Sequence, residues 1–218
     1  MMWEQTVQTD DLIGALSAEL APAPRALVGR SLALGLLGGM AVTLVLLLAT
    51  LRLRPDLELA MTGAAFWTKL GYTFALSVLG LWLVERQSRA AAAAQTPLWL
   101  LLVPVLALGA VALLQISAPD ADRVALVMGR SARVCSLLIL ALSLPIFGGL
   151  FWAMRRLAPT RLTLAGASAG LLAGAASATL YCLHCPEAAA PFVLVWYSLG
   201  ILLATALGAV AGRWALRW

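Results

Sequence analysis

The chain has 218 residues, 62% of them apolar and only 11% charged, with a formal net charge of +5. Soluble domains sit near half apolar and a quarter charged, so the composition excludes an ordinary soluble domain. The basic excess does not point to nucleic acid either, because the arginines stand singly or in pairs beside apolar runs, with no basic patch interleaved with aromatics.

The opening segment carries Glu4, Asp10, Asp11 and Glu19 and has no early apolar core, so a cleavable signal peptide is not expected. Residues 9–20 read as a short helix. Thr9 or Asp10 caps it, Asp10 and Asp11 suit the positive end of the helix dipole, and Pro22 and Pro24 stop it. Leu12, Ile13, Leu16 and Leu20 form one apolar stripe. A helix this short is marginal alone and needs a surface for that stripe. Its polar face is acidic, so an anionic leaflet is a poor host and a cytosolic protein with an apolar groove a better one.

Six apolar runs follow, at Ser31–Leu51, Phe66–Val84, Pro97–Gln115, Val134–Met154, Leu162–Cys182 and Pro191–Ala211. Each approaches the length of about 20 residues that a helix needs to cross the hydrocarbon core with its backbone satisfied. The expected fold is an all-α membrane protein: an antiparallel bundle of six transmembrane helices over residues 29–218, with residues 1–28 as a cytoplasmic N-terminal segment. Lys69, inside the second run, reads as an interfacial anchor whose long side chain reaches outward. Most tryptophans flank the runs, as aromatic belts do. Gly166, Gly170 and Gly174 share one helix face, as do Gly200, Ala204, Gly208 and Gly212, and small residues at this spacing let helices approach closely. Packing of the fifth run on the sixth is the first expectation and a homodimer interface the second.

The connections orient the bundle. With a cytoplasmic N-terminus, Arg25, Arg30, Arg86, Arg89, Arg155, Arg156, Arg161, Arg213 and Arg217 lie inside, against Arg52, Arg54, Arg123, Arg130 and Arg133 outside. Positive charge favours the cytoplasmic side, so both termini are expected there. Cys135 then opens the fourth span at the outer face, Cys182 closes the fifth at the same face, and Cys185 follows in the loop. In a bacterium that face is the oxidising periplasm.

The chain's single histidine stands in Cys182-Leu183-His184-Cys185-Pro186-Glu187. This pattern allows a thiol redox pair, because Cys-x-x-Cys spacing lowers thiol pKa. It also allows a soft-metal site from Cys135, Cys182, His184 and Cys185, although adjacent ligands 184 and 185 crowd the geometry. Thiol redox is preferred. The spans carry no central carboxylate, as a proton-coupled transporter needs, and no phosphate loop, nucleophile elbow or zinc-protease helix is present. The chain therefore does not read as an enzyme, and no motif calls for a cofactor.

Asp10-Asp11-Leu12-Ile13, Pro22-x-Pro24, Arg54-Pro55-Asp56-Leu57, Phe66-Trp67-x-Lys69, Cys135 with Leu142-Ser143-Leu144-Pro145, Ala158-Pro159-Thr160-Arg161, His184-Cys185-Pro186-Glu187 and Trp196-Tyr197 run in order along the chain. In these motifs the chain resembles the NrsF-like family of six-span anti-sigma factors. The resemblance implies an inner-membrane regulator that holds an extracytoplasmic-function sigma factor until stress arrives, with no direct contact to nucleic acid. It implies that Cys135 and Cys185 match the family's two functional cysteines, sensing oxidant or heavy metal, with Cys182 and His184 beside them. It also implies that residues 1–24, with Asp10, Asp11, Leu12, Ile13, Leu16 and Leu20, match its sigma-binding segment. Ser136 stands where the family often has proline, and Cys182 is an extra thiol. The rival reading is a membrane thiol-disulfide oxidoreductase using Cys182 and Cys185, which would need a second redox pair.

Overall fold

The computed structural model describes residues 9, 13, 14 and 18, then 27–88, 98–157 and 159–217. Among the described residues all regular structure is helical. Six helical segments are long and apolar enough to cross a membrane: Val28–Thr50, Ala64–Gln87, Leu98–Ile116, Arg123–Arg155, Leu162–Tyr181 and Ala190–Ala215. Each overlaps one of the six apolar runs of the sequence, in the same order. The elements are α1 (Leu27–Thr50), α2 (Leu57–Met61), α3 (Ala64–Gln87), α4 (Leu102–Ile116), α5 (Arg123–Met128), α6 (Ala132–Arg155), α7 (Leu162–Tyr181) and α8 (Ser198–Ala215).

Two segments differ from expectation. The fourth apolar segment starts early, because Asp122 caps α5 by accepting hydrogen bonds from the Val124 and Ala125 amides, both 3.1 Å. Gly129, at φ +49°, then breaks the chain before α6. The sixth segment begins as a turn at Ala190–Phe192 followed by a π-helical turn at Val193–Tyr197. Such widened turns occur mostly as single turns inside α-helices, frequently at functional sites.

α7 is the centre of the bundle. Its span is 67% buried, against 11% for the span that contains α4. The sequence explains this, since α7 is mostly alanine, glycine and serine and so lets other backbones come close. α8 runs antiparallel against it: a β-carbon at Gly170 would lie 2.9 Å from the Thr205 α-carbon, and one at Gly174 3.1 Å from the Ile201 α-carbon. The glycine stripe is thus occupied within the chain, as the first expectation had it. α3 packs on another face of α7, with Gly80 against Leu172 and Ser77 Oγ 3.4 Å from Thr179 Oγ1. α6 lies on a third, where the Ser177 hydroxyl donates to the Ile139 carbonyl at 2.9 Å. The spans that bear Cys135 and Cys182 are therefore antiparallel neighbours.

A second close contact joins α1 to α6. Gly35 sits against Gly149, Gly39 against Pro145 and Ile146, and Thr43 donates to the Leu142 carbonyl at 3.0 Å. Pro145 lies inside α6. The buried side chains fall into two clusters along the bundle. One holds all three cysteines with Tyr72, Tyr181 and Tyr197, and the other holds Leu32, Val84, Met154 and Leu216.

Candidate functional site: a buried thiol cluster at one end of the bundle

Tyr181 ends α7, and the chain wraps its last turn: the amides of His184 and Cys185 both donate to the Tyr181 carbonyl at 3.0 Å. This turn places Cys185 over the first turn of α6, where Cys135 sits. Cys135, Cys182 and Cys185 are all free thiols, and their exposures of 0%, 0% and 1% put all three inside the protein. The thiols of Cys135 and Cys185 are near enough to interact with each other. The Ser131 hydroxyl lies 3.9 Å from the Cys185 sulfur. Cys182 faces another way. Its thiol donates to the Ala178 carbonyl at 3.2 Å and lies 3.8 Å from Thr73 Oγ1.

Lys69 corrects the sequence reading. It is 1% exposed and does not reach outward. Its ammonium donates to the carbonyls of Cys185 at 2.8 Å and Glu187 at 2.9 Å, and stands 5.5 Å from the centre of the Tyr197 ring. The Tyr197 hydroxyl is buried without a hydrogen bond of good geometry, within electrostatic reach of the three sulfurs. The Cys185 thiol is held well below the usual thiol range, first by the hydrogen bond from Cys135 and then by the Lys69 ammonium, against the opposing effect of burial.

The connections cover this cluster. The Glu187 carboxylate accepts from the Arg130 amide at 2.8 Å, which clips the 182–189 loop onto the α5–α6 joint. A β-carbon at Gly129 would lie 2.8 Å from that carboxyl group, and the positive φ favours glycine there whatever the space. The Trp196 indole donates to the Val127 carbonyl at 2.9 Å. From the α1–α2 connection the Arg54 amide donates to the Leu183 carbonyl at 3.1 Å. Asp56 pairs with the Arg54 guanidinium at 2.6 Å; this bond holds Asp56 below the usual carboxylate range and raises Arg54.

His184 points away from the thiols. Its Nδ1 lies 2.9 Å from the Arg52 carbonyl, and Arg52 takes the left-handed conformation at φ 63° that brings that oxygen into place. Among the described residues no three His, Cys, Asp or Glu side chains are disposed to hold a metal ion, so the four-ligand set of Cys135, Cys182, His184 and Cys185 is not assembled. Of the proposed sigma-binding positions, Ile13 is helical and exposed, as are Thr9, Gly14 and Ala18. Asp10, Asp11, Leu12, Leu16 and Leu20 lie outside the described residues. Sequence reasoning missed Lys69 as a site residue, together with Tyr181 and Tyr197. A cation inside a span is a functional pointer by default, and Lys69 is buried at the thiol cluster.

The family described as negative regulator of sigma F, NrsF, matches residues 16–218. The chain is 44% identical over 216 residues to the anti-sigma-F factor NrsF of Caulobacter vibrioides, covering 97% of this chain and 100% of that one. It is 42% identical over 215 residues to the probable anti-sigma-F factor NrsF of Azospira oryzae, with the same coverage of both chains. No solved structure matches.

Proposed function

This chain belongs to the NrsF family of negative regulators of sigma F, and from that premise we propose that it is a membrane anti-sigma factor. It holds a sigma factor of the extracytoplasmic-function type at the bacterial inner membrane. The observation that carries this reading is full-length identity above two-fifths to two anti-sigma-F factors. Insertion in the bilayer is supported by the outward side chains: Leu106, Leu113 and Leu114 of α4 are 67%, 67% and 75% exposed, which water does not favour. The acidic, apolar-striped segment before Pro22 is the sigma-binding element, and both termini are cytoplasmic.

The thiol cluster is the sensing end, on the periplasmic side. Oxidation that joins Cys135 to Cys185, or capture of a thiophilic metal by them, would tie the first turn of α6 to the loop leaving α7. Proximity of the two thiols supports this pairing over Cys182 with Cys185, the pair an oxidoreductase would use.

A detergent extract tests the central claim. The tagged chain should retain an RNA-polymerase sigma subunit, and release it when residues 1–24 are deleted. Recovery of the chain with no sigma subunit, from cells that express one, would overturn the reading.

A further inference from the structure

Lys69 is a cation buried inside a helical bundle, and among the described residues no carboxylate pairs with it. Arg54–Asp56 is the ion pair there, and the one acidic side chain of the covering loop, Glu187, is turned to the Arg130 amide. Two carbonyl dipoles accept from the ammonium, but they do not balance a full charge. A buried charge without an opposite charge is costly. Within its electrostatic reach are the three thiols, and beside it stands Tyr197, whose hydroxyl is buried and without a hydrogen-bond acceptor. An uncompensated ammonium and an unsatisfied hydroxyl beside a thiol both call for an anion on sulfur.

We propose that Lys69 is the counter-ion of a Cys185 thiolate, so that the reduced site is a buried lysine–thiolate pair to which the Cys135 thiol and the Tyr197 hydroxyl donate. Lys69 is then a positioning residue for the sensing chemistry, acting on Cys185 from α3. The inference rests on the reading of the thiols as the sensing end and deepens it. It gives a thiol buried this deeply a means of reacting: the thiolate is the nucleophile, and here it is preformed. It also explains why Cys185 is the charged partner. Lys69 holds the Cys185 backbone directly, whereas Cys135 sits across on α6 as the donor. The titratable groups facing Cys185 from the packed elements are Lys69 on α3, Cys135 on α6, Tyr181 and Cys182 at the end of α7, Tyr197 ahead of α8, and Arg54 from the α1–α2 connection. Both cationic members favour the thiolate, and the neutral members can donate to it.

The test is a pH titration of the purified, reduced, full-length protein in detergent, following thiolate absorbance in the ultraviolet. The wild type should show one sulfur ionised well below the ordinary thiol pKa of about 8.5, lost in Cys185→Ser and kept in Cys182→Ser. Lys69→Met should move that titration up by about one to three units, the range for loss of a close opposite charge, while Lys69→Arg should keep it low. A wild-type titration at the ordinary thiol pKa would overturn the proposal, and so would a Lys69→Met protein that titrates as the wild type does. Should Lys69→Met fail to fold, the wild type, Cys185→Ser and Lys69→Arg proteins still decide it. Sigma retention, measured separately, distinguishes the two levels. An ordinary thiol with cysteine-dependent release sinks only the counter-ion. A low-pKa thiolate with cysteine-independent release sinks only the sensing role.

Discussion

At Gly166 a β-carbon would meet the Gly208 carbonyl and lie 2.7 Å from the Gly212 α-carbon, so backbone, not a flexible side chain, blocks it. Gly166→Ala must push α7 and α8 apart, and overpacking of this kind costs about 1–3 kcal/mol. At Gly38 and Gly148 a β-carbon would meet nothing within 4 Å; alanine there should be neutral or slightly stabilising, since glycine is a poor helix former. Thermal unfolding in detergent should show a clear drop for the first variant and none for the other two. At the same scale, the thiol contacts fix the order of disulfide formation. A mild oxidant should join Cys135 to Cys185 first, because these two thiols are the interacting neighbours, while Cys182 is engaged with the Ala178 carbonyl. Peptide mapping reads the pairing; a dominant Cys182–Cys185 bond would favour the oxidoreductase. Cysteine convergence was legible from spacing, since a span start and a span end fell at one depth. Lys69 was misjudged because its position near a span end suggested a path to water, and only the fold of the 182–189 loop closes that path.

Among the elements, the six spans were legible because each needs one uninterrupted apolar run, and few alternatives exist for such a run. What escaped was local geometry set by neighbours. The α5 helix depends on the Asp122 cap and Gly129, and the π-helical turn at Val193–Tyr197 lies within an unbroken apolar stretch that gives no hint of it. The α1–α6 contact escaped too: Gly35 and Gly39 stand four residues apart on α1, the spacing for close approach, but that spacing does not name α6 as the partner. For the N-terminal segment the sequence remains the guide. Leu12→Glu with Leu16→Glu should release the sigma factor while the bundle still inserts. Placing unpaired carboxylates in an apolar groove costs several kcal/mol, enough to weaken binding about 100-fold or more. Co-purification of the sigma subunit with this double mutant at wild-type yield would show that another element binds it.

For the whole molecule, the question is which end of the bundle meets which compartment. The α1–α2 connection, the 117–131 segment and the 182–189 loop share one end, since Arg54 bonds Leu183 and Trp196 bonds Val127 across them. Antiparallel packing of α6 on α7 and of α7 on α8 puts the end of α6, the start of α7 and the end of α8 at the other. The sequence expectation sets nine arginines inside against five outside, so the positive-inside bias predicts that this second end is cytoplasmic. Alkaline phosphatase folds actively only outside the cytoplasm, so a fusion after residue 217 should be inactive and one within 117–121 active. A reporter that fluoresces only in the cytoplasm should give the opposite pattern at the same sites. The consequence reaches back to the thiols. In the predicted orientation they face an oxidising compartment, where a disulfide between Cys135 and Cys185 persists once formed. The reverse pattern would place them against a reducing cytosol and the N-terminal segment on the side where no sigma factor exists, and the proposed function would fall with it.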